Sequence, residues 1–575
     1  MSNGMIPSRN EERFVLELLG GQLTSACDQT TNGVAEPIPD QNNSQNWPNQ
    51  CDNRSSMNRQ ASLDEKLVKS DLPFVSPTGP PQEAGDRNIY VFPVTFAQQR
   101  LWFLEQLAPG SNSYGILWPL RLTGPLDVAA LEKSLAYIVR RHEILRTTFS
   151  VKDGEPVQVV ADALPFELPL TDITSEEEAR RLIAEESRRP FDLEKGPLFR
   201  GRLLRLSAAD HVLILATHHI IFDGGSRRVL VRELSELYAA FREGKPSPLP
   251  NLPLQYADYA VWQRKYLQGA NLDKQIDYWK HQLEGIPAAI TLPTDRPRRP
   301  SRTSAGASRI FTFSADLTAR LNVFAKQAEA TLFMVLLAGF QALLSRYSGE
   351  DDIVVGTAIA GRNRLEIEGL IGFFANTLVL RTYLSGDPTV AELVSRVKEM
   401  ALAAYAHQET PFEKLVEELQ PERNISYNPV FQVQFALQSG FGRDFELPGL
   451  ELKPLGGAED SSKFDLSVFL TESPNKLSGR LEYNTDLFDE KTIDRIHGHW
   501  ENVLACIVAN PGRRISELPL LSEGERRLLL HERNRTASEY PRESGIAELF
   551  NEVVARQPDA TAVELEGSRL SYAEL

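Results

Sequence analysis

Residues His211 to Thr217 read His-Val-Leu-Ile-Leu-Ala-Thr, an apolar, β-rich run short enough to be a strand. The run passes directly into His218-His219-Ile220-Ile221-Phe222-Asp223-Gly224-Gly225. From Ser226 to Arg242, the residues Val229, Leu230, Leu234 and Leu237 then return at helical spacing. A histidine pair is thereby placed on a strand-to-helix turn, where a reactive group is rigid yet accessible.

The same mixture recurs on both sides of this unit. Val128 to Arg141 reads as a helix with Leu131, Leu135, Ile138 and Val139 on one face and Asp127 as its N-cap. A helical pattern from Tyr266 to Leu283 gives way to a Pro- and Arg-rich loop, Leu292 to Pro300. Beyond it lie an apolar helix, Thr331 to Tyr347, and two strand candidates, Asp352 to Ile359 and Phe431 to Leu437. The expected fold class is α/β, in two lobes of similar size. Four segments follow: a polar leader 1–88, a first lobe 89–265, a second lobe 266–520, and a separate piece 521–575.

At 575 residues the chain exceeds one ordinary domain. The leader is rich in Asn, Gln, Ser, Asp and Pro, and it holds too little apolar surface to offset its ordering entropy. Only Glu11 to Leu23 offers a helical face, through Phe14, Val15, Leu18 and Leu19. That segment reads as a fluctuating helix, with a docking element for an upstream protein as the alternative. The formal net charge of −16 argues against a nucleic-acid surface. Cys27, Cys51 and Cys506 have neither metal-ligand spacing nor a disulfide pattern, which fits a reducing cytoplasm. No signal-peptide pattern opens the chain, and no apolar run approaches the ~18 residues of a membrane span. The expectation is a soluble, cytoplasmic protein.

Two adjacent histidines on extended backbone point to opposite sides, so one can face a cleft while the other is structural. Imidazole titrates near neutrality and can accept or relay a proton from an attacking amine. Gly224 allows close backbone approach. Taken alone, the pair is also explained by a buried, hydrogen-bonded core histidine, and a metal pair is disfavoured because neighbouring ligands on a strand diverge.

The pair does not stand alone. Thr95-Phe-Ala97-Gln98-Gln99-Arg100-Leu-Trp102-Phe-Leu104 and Arg141-His142-Glu143-Ile-Leu-Arg146-Thr147-Thr-Phe149 precede it. Tyr256-Ala-Asp258-Tyr259-Ala-Val-Trp262, Ile371-Gly372-Phe-Phe374-Ala-Asn376-Thr377-Leu-Val-Leu-Arg381, His407-Gln408-Glu-Thr-Pro411-Phe412-Glu413 and Arg423-Asn-Ile-Ser-Tyr-Asn428-Pro429-Val430-Phe431 follow it. With the His-His-x-x-x-Asp-Gly core these make seven motifs in order, and over about residues 90–520 the chain resembles the condensation domain of nonribosomal peptide synthetases.

That resemblance implies a fold similar to chloramphenicol acetyltransferase, with two lobes in a V around a central tunnel. It implies amide formation between a donor acyl or peptidyl thioester and the α-amine of an acceptor aminoacyl thioester. Both arrive on phosphopantetheine arms of donor and acceptor carrier proteins, and the domain itself binds no cofactor or metal. By analogy His219 faces the tunnel and His218 is structural. Asp223 pairs with an arginine, expected to be Arg100. Gly224 offers a backbone N–H to the developing oxyanion. Gly225 and Asn376 lie near the substrate. His219 either removes the amine proton or mainly orients the amine.

Residues Asn534 to Pro541, Leu549-Phe550, Pro558-Asp559 and Leu570 to Leu575 resemble the linker and opening of an adenylation domain, the expected downstream partner. If Met1 is the natural start, the donor arrives in trans, from an upstream synthetase or as an acyl starter. Departures from the family pattern occur at Gly225, Arg227, Arg228, Ala375 and Tyr427. They bear on donor preference and tunnel shape. Among rivals, an epimerisation domain shares the histidine core but does not usually lead into an adenylation domain. A heterocyclisation domain lacks the histidines. A plant-type acyltransferase would carry an Asp-Phe-Gly-Trp-Gly signature, absent here. A non-catalytic recruitment domain of the same fold typically loses the His-His core.

Overall fold

The apolar run of the histidine turn becomes the middle strand of a five-stranded sheet. The computed structural model describes residues 89–107, 110, 112–421, 424–439, 447–455, 461–473, 476–539 and 541–575. The leader 1–88, with its Glu11–Leu23 segment, Cys27 and Cys51, lies outside the described residues, as does Arg423.

The first lobe runs β1 (Ile89–Pro93), α1 (Phe96–Leu107), β2 (Gly115–Thr123), α2 (Val128–Arg141), β3 (Thr147–Lys152), β4 (Glu155–Ala161), β5 (Leu170–Asp172), α3 (Glu176–Arg188), β6 (Phe199–Ser207), β7 (Asp210–His218), α4 (Gly224–Arg242) and α5 (Tyr256–Tyr266). The second runs α6 (Ala270–Gln282), β8 (Gly306–Thr312), α7 (Ala315–Gln327), α8 (Leu332–Ser348), β9 (Asp352–Ile359), β10 (Asn376–Tyr383), α9 (Val390–Ala406), α10 (Phe412–Leu419), β11 (Val433–Ser439), β12 (Glu451–Pro454), β13 (Leu466–Ser473), β14 (Lys476–Asn484) and α11 (Glu490–Ala509).

Local chemistry sets these boundaries. Asp127 caps α2 by accepting from Ala130 N at 2.9 Å, as the sequence predicts. Thr331 caps α8, and Gly349 ends it in the left-handed region at φ 75°, where a residue without Cβ avoids steric cost. The helix predicted from Ser226 begins two residues earlier, at Gly224, because Asp223 supplies the cap.

The first sheet has strand order β12-β2-β7-β6-β5. Helices α2 and α4 cover one face through Leu131, Leu135, Ile138, Leu230, Leu234 and Leu237, and α3 covers the other through Ala179 and Leu182. Leu135 and Leu213 are fully buried, so truncating either to alanine costs about 2–5 kcal/mol. The second sheet has order β10-β9-β11-β13-β14-β8. Phe340, Phe435 and Trp500 pack there with ring centroids 5.4–5.9 Å apart, an edge-and-offset spacing favourable for aromatics.

The division of lobes is not a simple cut of the chain. Strand β12, from the second half, pairs antiparallel with β2 of the first sheet over Glu451–Pro454. This first compact unit runs to Leu518. A second unit, Pro519–Leu575, carries a helix at Ile546–Arg556 and an antiparallel hairpin, Thr561–Leu565 with Ser568–Ser571. Its two-residue turn has positive φ at Glu566 and Gly567, the geometry that matches strand twist. Among the described residues no single helix is long and apolar enough to cross a membrane.

Candidate active site

Strand β7 ends at His218, and His219 opens a single 3-10 turn before Asp223 starts α4. The two histidines therefore leave the sheet in different environments. His218 is 2% exposed. Its Nδ1 accepts from Ile220 N at 3.2 Å, which places the ring proton on Nε2, 3.7 Å from Glu105 Oε2. Burial drives the His218 pKa down to about 3, and burial raises the Glu105 carboxyl above its usual range.

His219 is half-buried. Burial first, then the positive charge of Lys463, lowers its pKa to about 4 against the pull of Asp223. The imidazole is neutral at pH 7 as a result. Its Nδ1 is buried without a partner, and its ring meets Phe373 edge-on at 5.1 Å.

Asp223 is 1% exposed and every face of its carboxylate is occupied. Oδ1 caps α4 by accepting from Ser226 N at 2.7 Å and lies 2.8 Å from Ser226 Oγ. Oδ2 accepts from Arg362 Nη1 at 2.8 Å, Phe374 N at 2.9 Å and Ala375 N at 3.2 Å. Such saturation is what a buried charge needs. The expected partner, Arg100, is not the one found. Arg100 is on α1 with 46% of its side chain exposed, and it pairs instead with Glu413 of α10 at 3.2 Å. Arg362 reaches Asp223 because it follows β9 into the lobe interface, stacked on Phe374 at 4.3 Å.

The glycines divide by what faces them. Gly224 is exposed, and a Cβ there would meet nothing within 4 Å. At Gly225 a Cβ would run into the Arg362 guanidinium. On this side the glycine makes room for the buried arginine.

The segment 370–376 of the second lobe is held almost atom by atom by first-lobe side chains. Ile371 N donates to His142 Nδ1 at 3.4 Å, and Gly372 N to Ser226 Oγ at 2.9 Å. Phe373 O accepts from Tyr256 Oη at 2.7 Å, and Asp223 takes the next two N–H groups. His142 in turn shares buried Glu233 with Arg141, at 2.9 and 3.1 Å. A Cβ at Gly372 would strike the Tyr256 ring, so glycine is required there. Asn376 lines a small cavity of about 40 Å³ with Phe373 and Tyr259. Its own amide is committed to the 408–412 loop: Nδ2 donates to Gln408 O and Thr410 O at 3.0 and 2.7 Å, and Oδ1 accepts from Phe412 N at 3.2 Å.

Arg362, Ser226 and Lys463 escape sequence reasoning. Arg362 sits beside Arg364 in Gly361-Arg362-Asn363-Arg364, and no spacing separates the buried arginine from its neighbour. In the sequence Ser226 stands only as the first residue of the helical run to Arg242. Among the described residues no group of three or more His, Cys, Asp or Glu side chains is placed to hold a metal.

Comparison with known proteins agrees with this fold. The family model for the condensation domain matches residues 88–530. Chondramide synthase cmdD of Chondromyces crocatus is 44% identical over 494 residues, 84% of this chain and 13% of the relative. Phosphinothricin tripeptide synthetase PhsC of Streptomyces viridochromogenes is 40% identical over 530 residues, 90% of this chain and 48% of the relative. The chain thus spans less than half the length of these curated relatives. Among solved structures, the X-domain in complex with OxyB from teicoplanin biosynthesis is 34% identical with a TM-score of 0.68, over 78% of this chain and 100% of that one. The chain belongs to the condensation-domain family of nonribosomal peptide synthetases.

Proposed function

We propose that this chain joins a donor acyl or peptidyl thioester to the α-amine of an acceptor aminoacyl thioester, each carried on the phosphopantetheine arm of a carrier protein. One observation carries the reading: a neutral, partly accessible His219 stands beside an Asp223 locked across both lobes. The amine attacks the thioester carbonyl, the C–N bond forms, and the carbonyl oxygen becomes an oxyanion. Gly224, exposed at the start of α4, supports that charge with its backbone N–H and the positive end of the helix.

His219 then accepts the proton released from the attacking nitrogen. The C–S bond breaks, and the departing thiolate takes the proton from the imidazole. With a pKa of about 4, His219 is a weak base for a free amine of pKa about 8. It suits orienting the amine and relaying a proton from the more acidic nitrogen of the intermediate. Holding both thioesters together supplies much of the rate advantage. His218 keeps the turn in shape.

Residues 521–575 are read as a linker and the opening of an adenylation domain, which selects the acceptor. The donor arrives on a carrier protein, and the protein works in the cytoplasm. Intact-protein mass spectrometry of amide formation, with loaded donor and acceptor carriers, tests the reading. Wild type should form product, and His219→Ala should lower the rate about 100-fold or more with unchanged melting. Equal rates in the two proteins would remove His219 from the chemistry. Carrier binding without product from any donor would favour a recruitment role.

A further inference from the structure

The motif Thr95 to Leu104 opens α1, and one of its residues touches the histidine turn. Thr95 and Gln98 form a capping box: Gln98 N donates to Thr95 Oγ1 at 3.2 Å, and Thr95 N donates to Gln98 Oε1 at 3.1 Å. Glutamate serves such a box as well as glutamine does. What glutamine adds is a pair of donors, and both are used. Gln98 Nε2 donates to Ile220 O at 3.1 Å and to Gln158 Oε1 at 3.4 Å.

Both glutamines are fully buried, and their partners fix which way each amide points. Gln158 Nε2 donates to Pro93 O at 2.8 Å, which leaves Gln158 Oε1 to face Gln98. A flipped Gln98 amide would set its oxygen against the Ile220 carbonyl and its donors against Thr95 N. Two buried polar groups would then lose their partners at once, a costly arrangement.

The bond matters because of where Ile220 sits. It follows His219 in the single turn His219–Ile221, and every backbone polar group of the two residues is bound. His219 N donates to Tyr114 O at 2.8 Å, and His219 O accepts from Phe222 N at 3.2 Å. Ile220 N donates to His218 Nδ1 at 3.2 Å, and Ile220 O accepts from Gln98. Among these partners Gln98 is the one side chain from outside the segment 218–222. Glu105, seven residues on and therefore on the same face of α1, backs the neighbouring histidine, with Oε2 3.7 Å from His218 Nε2.

We propose that Gln98 is a positioning residue of the reaction: its buried side-chain amide fixes the Ile220 carbonyl and thereby the direction in which His219 leaves the turn. This inference rests on the amide-forming reading.

The test uses the full chain with Gln98→Met, which keeps the length of the side chain and removes both donors. Leu504→Ala, at a fully buried site where α11 meets α8 in the second lobe, is the control that loses stability elsewhere. At a temperature where melting curves show both variants folded, Q98M should lower kcat about 10- to 100-fold with KM for each loaded carrier unchanged, the signature of a misplaced reacting group. L504A should change neither. In ring-carbon NMR of the free chain, with His219 assigned by H219Q, the His219 resonance should be displaced in Q98M and stay in place in L504A. An unmoved resonance or an unchanged kcat in Q98M overturns the proposal. If Q98M does not fold, Gln158→Met, which removes the acceptor that orients Gln98, should displace the same resonance by less, and no displacement there overturns it too. A displaced resonance in a chain that forms no amide upholds the hold of Gln98 on His219 and removes only the reaction to which it was assigned.

Discussion

Asp223 and Arg362 meet across the lobe interface at 2.8 Å, with 1% and 7% of their side chains exposed. The carboxylate therefore does three structural jobs at once: it caps α4, binds the second-lobe arginine, and receives two N–H groups of the 370–376 segment. Breaking one partner of a buried pair strands the other. Arg362→Met should lower unfolding free energy by about 3–5 kcal/mol in urea titration, and amide formation should fall with it.

The Arg100–Glu413 pair gives the contrast. Its members are 46% and 21% exposed, so solvent and salt screen the charge. Arg100→Ala should change stability by less than about 1 kcal/mol in the same titration. A loss as large as that of R362M would mean that the exposed pair, and not the buried one, holds the lobes.

Gly224 and Gly225 should respond differently to a single methyl group. Gly225→Ala puts a Cβ into the Arg362 guanidinium and should cost about 1–3 kcal/mol as an overpacked core site does. Gly224→Ala meets nothing within 4 Å, so its melting temperature should match wild type. Thermal melting of both variants, with rates measured alongside, checks the pair.

Stability should fall as the solution is acidified below pH 6.5. His219 and His218 titrate at about 4 and about 3 in the folded chain, against about 6.5 when unfolded. Between these values the unfolded chain binds more protons, so unfolding free energy decreases as pH drops. Each histidine contributes at most about 1.4 kcal/mol per pH unit. Glu105, with its raised carboxyl, works in the other direction. The difference in slope between wild type and H219Q, from denaturant unfolding at pH 6.5 and pH 5, isolates His219.

The sequence made several elements readable because each rests on a local rule. Asp352–Ile359 is apolar over a strand's length and becomes β9 with those bounds. Asp127 precedes an amphipathic run and caps α2. The split between His218 and His219 follows from alternation along a strand. What escaped was long-range. No spacing connects Asp223 to Arg362, 139 residues away, and the family resemblance pointed to Arg100 instead. Nothing next to Gly225 in the sequence shows that Arg362, from the other lobe, packs against it. Lys463 is one charged residue among many until the fold lays it on Tyr114.

Strand β12 has a practical result for anyone dissecting this protein. It shields one margin of β2, pairing Glu451 to Pro454 with Thr123 to Leu120. A fragment that stops before Glu451 would keep the histidine turn and lose that cover, leaving a row of unbonded amides and carbonyls along β2. Bare margins of this kind recruit strands from other molecules. The excised first lobe is thus expected to self-associate, and its precipitation would report a missing strand and nothing about the chemistry of His219.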